Sequence, residues 1–540
     1  MSLGRELLRE HRYRELWQHY CGFIDLTLPQ FMGVQGHLLL EQLELLKRSE
    51  LGRWVMRGSR PSTVEEFRQG VPLTTYADYA PYLGEQREEV LPARPLLWQR
   101  TNGVSGEFEF KWAPITPQMY QAMGPVLFAV LIFATCRWKG DISFGSQEDM
   151  FYALAPPPFA TGCWAHLASQ ELPVRFLPPL TEAERLSFQE RLAQGLSLGL
   201  DQGIDLVFGL PSVLVALGEE IGRRSAGERP LAWVLRPRAL ARLLKARIKS
   251  GLLGRPVRPR DLWSLRGVAI AGKDAALYRT QVRELWGKEP LEVYGCTEGM
   301  VLAMQTWDYQ GLTFVPHLNF LEFIPEEELR RESARPGYRP STVLLDEVRA
   351  GGRYEVVITN LWGGAFVRYR LGDVITIDAL EDQRLGIRLP QMSFYARSDS
   401  IIDLAGFTRL TERTLGQAIE LAGVPCVDWI ACKEARTPPV LHLYLELRES
   451  NGHTAGKVES LVHEQLKRLD APYADLERLL GLQPLRLTVL APGSFGRVSL
   501  ERSSARARHG LRRINPPQAL VQALLNGTGA PQPLAERPVP

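Results

Sequence analysis

Short apolar runs alternate with amphipathic stretches along most of this 540-residue chain. In residues 1–50, Leu38, Leu39, Leu40, Leu43, Leu45 and Leu46 crowd one broad face between charged positions, which predicts helix. A linker-like stretch with Pro61, Pro72, Pro81, Pro92 and Pro95 follows. Candidate strands are 150–154, 205–210, 267–271, 291–294 and 354–359. Their near-continuous apolar character predicts a sheet buried on both faces, and the alternation with helices predicts an α/β architecture. The longest apolar run, 123–136, is about 14 residues, short of the ~20 of a membrane span, and reads as a buried helix. From residue 397 a smaller α+β unit is expected, with strands at 440–447 and 485–490 and a helix around 456–470. The Pro/Gly/Ala-rich end of the chain reads as disordered.

Composition narrows this picture only a little. The chain is 45% hydrophobic and 23% charged, with a net charge of +3, which is ordinary globular composition without a global polyanion partner. Six scattered cysteines without a C-x-x-C pair, and a charged N-terminus without a signal-peptide core, lead us to expect a cytoplasmic location. Residues 236–260 carry nine basic side chains and no acid. The interleaved Leu240, Leu243 and Leu244 read as ordinary amphipathic packing, so neither a nucleic acid nor a membrane is expected as partner.

Four polar motifs carry the candidate chemistry. Thr101-Asn102-Gly103-Val104-Ser105-Gly106 is a glycine-rich loop whose backbone can converge on an anion, and Lys111 follows as a point charge for phosphates. It lacks the Walker spacing. Tyr294-Gly295-Cys296-Thr297-Glu298 follows the candidate strand 291–294, so Thr297 and Glu298 reach the carboxyl end of a sheet. Thr297 can donate to a phosphate and Glu298 can hold Mg²⁺, while a helix N-cap is the equally simple structural alternative. Cys296 reads as a small residue in a tight turn. Asp373, after Gly372, can accept from ribose hydroxyls or form an Asx turn. Arg397 can reach ribose or phosphate. Asp403–Gly406 reads as a flexible joint.

At these residues the chain resembles the adenylate-forming synthetases, and most of all the auxin-responsive acyl-acid-amido synthetases (the Gretchen Hagen three family), including their bacterial members. The likeness runs over roughly 15–515 and includes FRQGVPLTTYADYAPYL at 67–83, LAPPPFATG at 154–162, DLVFGLPSVLVALGE at 205–219, ELWGKEPLEVYGCTEG at 284–299 and LNFLEFIPEE at 318–327. The resemblance implies a large adenylate-forming α/β domain (1–396), a hinge (397–406), an α+β lid (407–515) and a tail (516–540). It implies ATP and Mg²⁺, activation of a carboxylic acid as acyl-adenylate, and transfer to an amine, usually of an amino acid. It places Lys111, Thr297, Glu298 and Arg397 in catalysis, with Glu298 on the metal. Thr101, Asn102, Gly103, Ser105, Gly106, Tyr294, Gly295, Cys296, Glu322, Asp373 and Arg409 are placed around the nucleotide. A monomer acting on a hydrophobic or aryl acid is expected, the acyl pocket drawing on 151–164 and Tyr120.

The chain departs from the family pattern in several places, among them Ala271-Gly272-Lys273-Asp274 where the family is rich in Gly-Thr-Asp and Arg409 where it tends to carry lysine. Its loop has Asn102 and Val104 where the family carries hydroxyl residues. A family lysine before a C-terminal proline is absent from Arg513-Ile514-Asn515-Pro516, leaving Arg512 or Arg513 as stand-ins. An acyl-coenzyme A ligase and a catalytically weak relative that keeps the fold are the alternative readings.

Overall fold

The computed structural model describes residues 2–101, 111–152, 154–226, 237–272, 275–335, 337–397, 401–404, 408–434, 440–448, 454–470, 473–474, 477, 483–503 and 512–525. The chain forms two compact units, Met1–Tyr395 and Ala396–Pro540.

In the first unit, β1 (Leu97–Arg100) and β2 (Trp112–Ile115) make an antiparallel hairpin in register from Leu97↔Ile115 to Arg100↔Trp112. The main sheet contains β3 (Glu148–Tyr152), β4 (Val174–Leu177), β5 (Leu206–Gly209), β6 (Gly267–Ala271), β7 (Leu291–Cys296), β8 (Met300–Met304), β9 (Leu312–Phe314), β10 (Asn319–Pro325), β11 (Arg353–Asn360), β12 (Tyr369–Ala379) and β13 (Gln391–Arg397). Its order is β10-β11-β12-β13-β9-β8-β7-β6-β5-β3-β4. From β4 to β7 every ladder is parallel, and at β7 the sheet turns antiparallel through β8 and β9. The apolar runs explain the first half: Val268, Ala269 and Ile270 are all buried, as strands covered on both faces must be.

The apolar run at 123–136 lies in helix Pro117–Thr135, capped by Thr116, whose hydroxyl accepts from Met119 N at 3.1 Å. It is long and apolar enough to cross a membrane, but it is mostly buried against the sheet. A second helix, Leu28–Arg48, is pinned by buried amides. Gln35 donates to Pro316 O at 2.7 Å and Gln42 to Gly364 O at 2.9 Å.

The proline-rich stretch after residue 60 is not a linker. It folds into short helices, and Phe67, Val71, Tyr76, Tyr79 and Leu83 enter the main core. Aromatic residues between the prolines supply enough buried surface to order it.

The second unit holds a hairpin of β14 (Ile401–Leu404) and β15 (Thr408–Thr411), then β16 (Cys426–Glu434), β17 (Val440–Leu447) and β18 (Leu485–Leu490) in a three-stranded sheet. β16–β17 is antiparallel, and β17–β18 is parallel across helix Ala455–Leu469. The expected strands and helix of this unit are present to within a residue; β16 was not foreseen. The expected tail at 516–540 is corrected in its first part, where helix Gln518–Leu525 buries Leu520, Val521 and Leu524 against the second unit's own core; residues 526–540 lie outside the described residues.

Candidate active site

The motif at 294–299 builds a β-hairpin, not a helix N-terminus. β7 pairs antiparallel with β8, and residues 297–299 make the turn between them. This is the point where the parallel half of the sheet ends, the usual place for a ligand site in α/β folds. Gly295 is obligatory here, since a Cβ would come 2.4 Å from Met300 O. Gly299 is packed at 2.8 Å from Ile358 Cδ1 by the same measure.

Each carbonyl of this turn is held by a buried amide side chain from elsewhere in the chain. Gln99 Nε2 donates to Thr297 O at 2.6 Å, Asn360 Nδ2 to Glu298 O at 2.9 Å, and Asn319 Nδ2 to Gly299 O at 2.6 Å. Gly299 N in turn donates to Cys296 Sγ at 3.1 Å, so the thiol serves the turn. The donors come from β1, β11 and β10, and a buried carbonyl left without its partner would cost about 1–3 kcal/mol. The turn is therefore fixed before any ligand arrives.

Onto this turn the β1–β2 hairpin brings Lys111. Lys111 N donates to Thr101 Oγ1 at 2.9 Å and Thr101 N to Lys111 O at 3.0 Å, so these two residues close the stem of the loop. Residues 102–110, with Asn102, Gly103, Ser105 and Gly106, lie outside the described residues. Lys111 Nζ stands 2.9 Å from Tyr369 OH and 3.4 Å from Glu298 Oε1, and Tyr369 OH donates to Glu298 Oε1 at 3.1 Å. Lys111 and Glu298 are both buried. The ammonium also lies over the rings of Tyr76 and Tyr369, at 5.5 and 5.6 Å. Burial, reinforced by the Glu298 carboxylate, drives the Tyr369 hydroxyl well above its ordinary pKa, so it stays a donor. The Tyr76 hydroxyl is pushed up to about 12, mainly by burial.

Asp373 lies near the base of the same hairpin. Leu371–Asp373 face a single residue of β11, because the register passes from Glu355↔Val374 to Val357↔Arg370. Gly372, at φ +71°, makes this bulge possible. The buried Asp373 carboxylate accepts from Tyr294 OH at 3.1 Å. Thus Lys111, Glu298 and Tyr369 form one cluster, and Asp373 joins the same hairpin through Tyr294.

Other expected site residues stand elsewhere. Glu322 is fully buried in a fork with Arg368, whose Nε and Nη2 donate at 3.0 and 2.8 Å, and it accepts from Thr342 Oγ1 at 2.7 Å. Both of its oxygens are used inside the core, so the nucleotide-contact expectation for Glu322 is replaced by a structural role. Arg397 ends β13 and falls in the second unit. Arg409 opposes Asp403 in the β14–β15 ladder, and its side chain lies outside the described residues. Arg513 is bound to Glu412 at 2.8 Å and Asp428 at 2.9 Å, which commits it to the second unit's own packing and weakens it as a substitute for the missing lysine.

Tyr369 and the three amides were not singled out from the sequence. Tyr369 sits in the same RYRLGD motif as Asp373, four residues before it, and that nearness was the available signal. The amides have none, being separated from the turn by 198, 62 and 20 residues.

An apolar cavity of ≈ 60 Å³ lies between the parallel strands and helices Pro117–Thr135 and Ala160–Glu171. Leu154, Trp164, Ala168 and Val293 are among its walls. Val293 belongs to strand β7 of the site hairpin, and Leu154 and Trp164 fall in the segment expected to bind the acyl group.

Residues 312–397 match the GH3 family central domain. Jasmonoyl--L-amino acid synthetase GH3.5 of Oryza sativa subsp. japonica is 30% identical over 238 residues, 40% of this chain and 39% of that protein. The chain spans about two fifths of the curated relatives it matches. In fold, AtGH3.15 acyl acid amido synthetase in complex with 2,4-DB superposes with a TM-score of 0.64 at 16% identity, covering 94% of this chain and 96% of that one. A 2-hydroxyisobutyryl-CoA ligase in the postadenylation state follows at 0.58 and 14% identity, covering 93% and 94%. With a loop stem that brings Lys111 to Glu298, the chain matches the GH3 family central domain over residues 312–397 and shares the fold of a solved GH3 acyl acid amido synthetase.

Proposed function

We propose that this protein is an ATP-dependent acyl-acid amido synthetase, which joins a carboxylic acid to an amine, that of an amino acid, through an acyl-adenylate. The observation that carries this reading is the buried Lys111–Tyr369–Glu298 cluster on a pre-fixed turn at the end of the parallel strands, in a chain with a GH3 central domain. Adenylation needs a nucleotide held in line with a carboxylate and relief of phosphate charge; it needs no protein nucleophile.

The residues divide this work. Among the described residues no three metal-ligating side chains cluster. That suits Mg²⁺, which takes one or two carboxylates and is otherwise ligated by water and phosphate. Glu298 is the residue that would hold it, and the ion supplies charge neutralisation on the phosphates. With Glu298 engaged by such an ion, the Lys111 ammonium would be free to pair with phosphate oxygens, and Tyr369 would keep its hydroxyl donor in the site. Thr297, half-buried, offers its hydroxyl to the α-phosphate. Asp373 is the acceptor for ribose hydroxyls. The second unit acts as the closing lid, with Arg397 near the joint, and carries the nucleotide contact expected of Arg409.

Carboxylate-dependent exchange of pyrophosphate into ATP tests the first half-reaction. Product analysis with amino acids against coenzyme A tests the second. Failure of every acid in a broad panel would sink the adenylation reading, and thioester formation without amide would replace the amine with a thiol. Asp373→Asn should raise the KM for ATP by roughly 10–100-fold, the loss of hydrogen bonds to a charged acceptor worth about 1.5–3 kcal/mol. Tyr294→Phe should change it less. An unchanged KM in Asp373→Asn would remove the residue from the nucleotide site.

The cavity at Trp164 and Ala168 supports a hydrophobic acyl group. It has space for several waters but no polar lining to hold them, so apolar atoms suit it. Ala168→Phe should raise the KM of large hydrophobic acids by about tenfold or more, each buried CH₂ being worth ~0.8 kcal/mol, and spare acetate. Equal effects on large and small acids would show that the cavity takes no part.

A further inference from the structure

Of the leucines expected to pack helix Pro237–Leu252, only Leu243 lies against the core, half-buried; the other buried contacts of the helix are small residues. Ala239, Ala246 and Ser250 are its buried positions, and Arg242 reaches inward to donate to Gly199 O at 2.9 Å. Leu240, Leu244, Ile248 and Leu252 are 38, 51, 65 and 84% exposed. At 3.6 residues per turn, this four-residue spacing spreads them over about 120° of the outer surface. Leu253, in the turn just past the helix end, is 58% exposed.

The charges around the stripe have one sign. By helical angle Arg247 borders one edge, and Lys245, Arg238 and Lys249 border the other, all exposed. The nearest acid, Asp261, has no exposed side-chain surface and is taken up by Arg255 at 2.7 Å and Lys249 at 3.3 Å. An aliphatic face rimmed by cations, with no exposed acid between residues 236 and 260, matches a surface that is apolar inside and anionic at its rim. Nucleic acid would use the rim and leave the aliphatic stripe in water, and the stripe has no aromatic ring for base stacking. A second copy packed on a two-fold axis would set the basic rims against each other.

We propose that this helix docks the protein on anionic phospholipid surfaces, with Leu240, Leu244, Ile248, Leu252 and Leu253 entering the headgroup–acyl boundary and Lys245, Arg247 and Arg238 resting on the phosphates. This departs from the expectation, drawn from composition, of a chain without a membrane partner. It stands apart from the proposed ligase reaction, because the helix holds none of the residues assigned to it.

Flotation of the full chain with vesicles tests it, using mixed phosphatidylserine/phosphatidylcholine against phosphatidylcholine alone. Binding is expected on the anionic vesicles and should fall as salt rises from about 0.1 to about 1 M, where the Debye length drops to ~3 Å. Leu244→Asp/Ile248→Asp should cut it by roughly tenfold or more with an unchanged melting temperature, since both side chains are already in water. Lys245→Glu/Arg247→Glu should weaken anionic binding without creating binding to phosphatidylcholine. Absence of vesicle binding would overturn the proposal, as would binding that the aspartate pair leaves intact. Salt-sensitive retention on nucleic acid, or self-association abolished by the aspartate pair, in either case without vesicle binding, would also overturn it and name the other occupant.

Discussion

Glu298→Gln is expected to lower carboxylate-dependent pyrophosphate exchange by at least roughly 10²–10³-fold, the scale of losing one preorganised electrostatic group. The amide keeps the shape of the side chain and can still accept from Tyr369. It cannot carry the charge that faces Lys111 at 3.4 Å, nor serve a divalent cation. The change also leaves a buried ammonium without its counter-charge, which on the scale of broken buried ion pairs costs about 3–5 kcal/mol. Activity must therefore be measured well below the melting transition. Lys111→Met/Glu298→Gln separates the two effects. It should regain much of the stability and none of the exchange. Exchange at wild-type rates in Glu298→Gln, with Lys111→Met also active, would dissolve the site.

The second large effect is expected at Glu322 and Arg368, and it should fall on stability. Arg368→Ala strands a fully buried carboxylate; Glu322→Ala strands a guanidinium that also donates to Val71 O. Each should destabilise the first unit by about 3–5 kcal/mol. Glu322→Met/Arg368→Met should be much less damaging, because an apolar pair leaves no orphan charge. Urea unfolding followed by tryptophan fluorescence reads this. Glu322→Gln should leave the KM for ATP unchanged in whatever fraction folds. A KM raised tenfold with normal stability would return Glu322 to the nucleotide, as the family likeness first implied.

The contrast between these two glutamates shows what the sequence could convey. Glu298 follows a strand and a glycine, and that local order was enough to place it at a sheet end. Glu322 also sits in a strand within a family block, but its partner lies 46 residues away, and no spacing rule connects them. The parallel strands were legible because burial on both faces makes them apolar throughout. The segment after residue 60 was not, because its prolines spoke louder than the tyrosines and phenylalanine that order it. Likewise the leucines of helix Pro237–Leu252 suggested burial, while only Leu243 meets the core and Ala239, Ala246 and Ser250 make the closer contact.

The amide grips on residues 297–299 have a bearing on how such a site drifts over generations. Gln99, Asn319 and Asn360 touch the turn only through its backbone, so the reacting side chains could all persist while one grip is lost. A lineage could then become sluggish with its whole chemical signature intact. Reading off which signature residues survive would overstate such a protein's vigour; the state of three inconspicuous amides would be the better gauge.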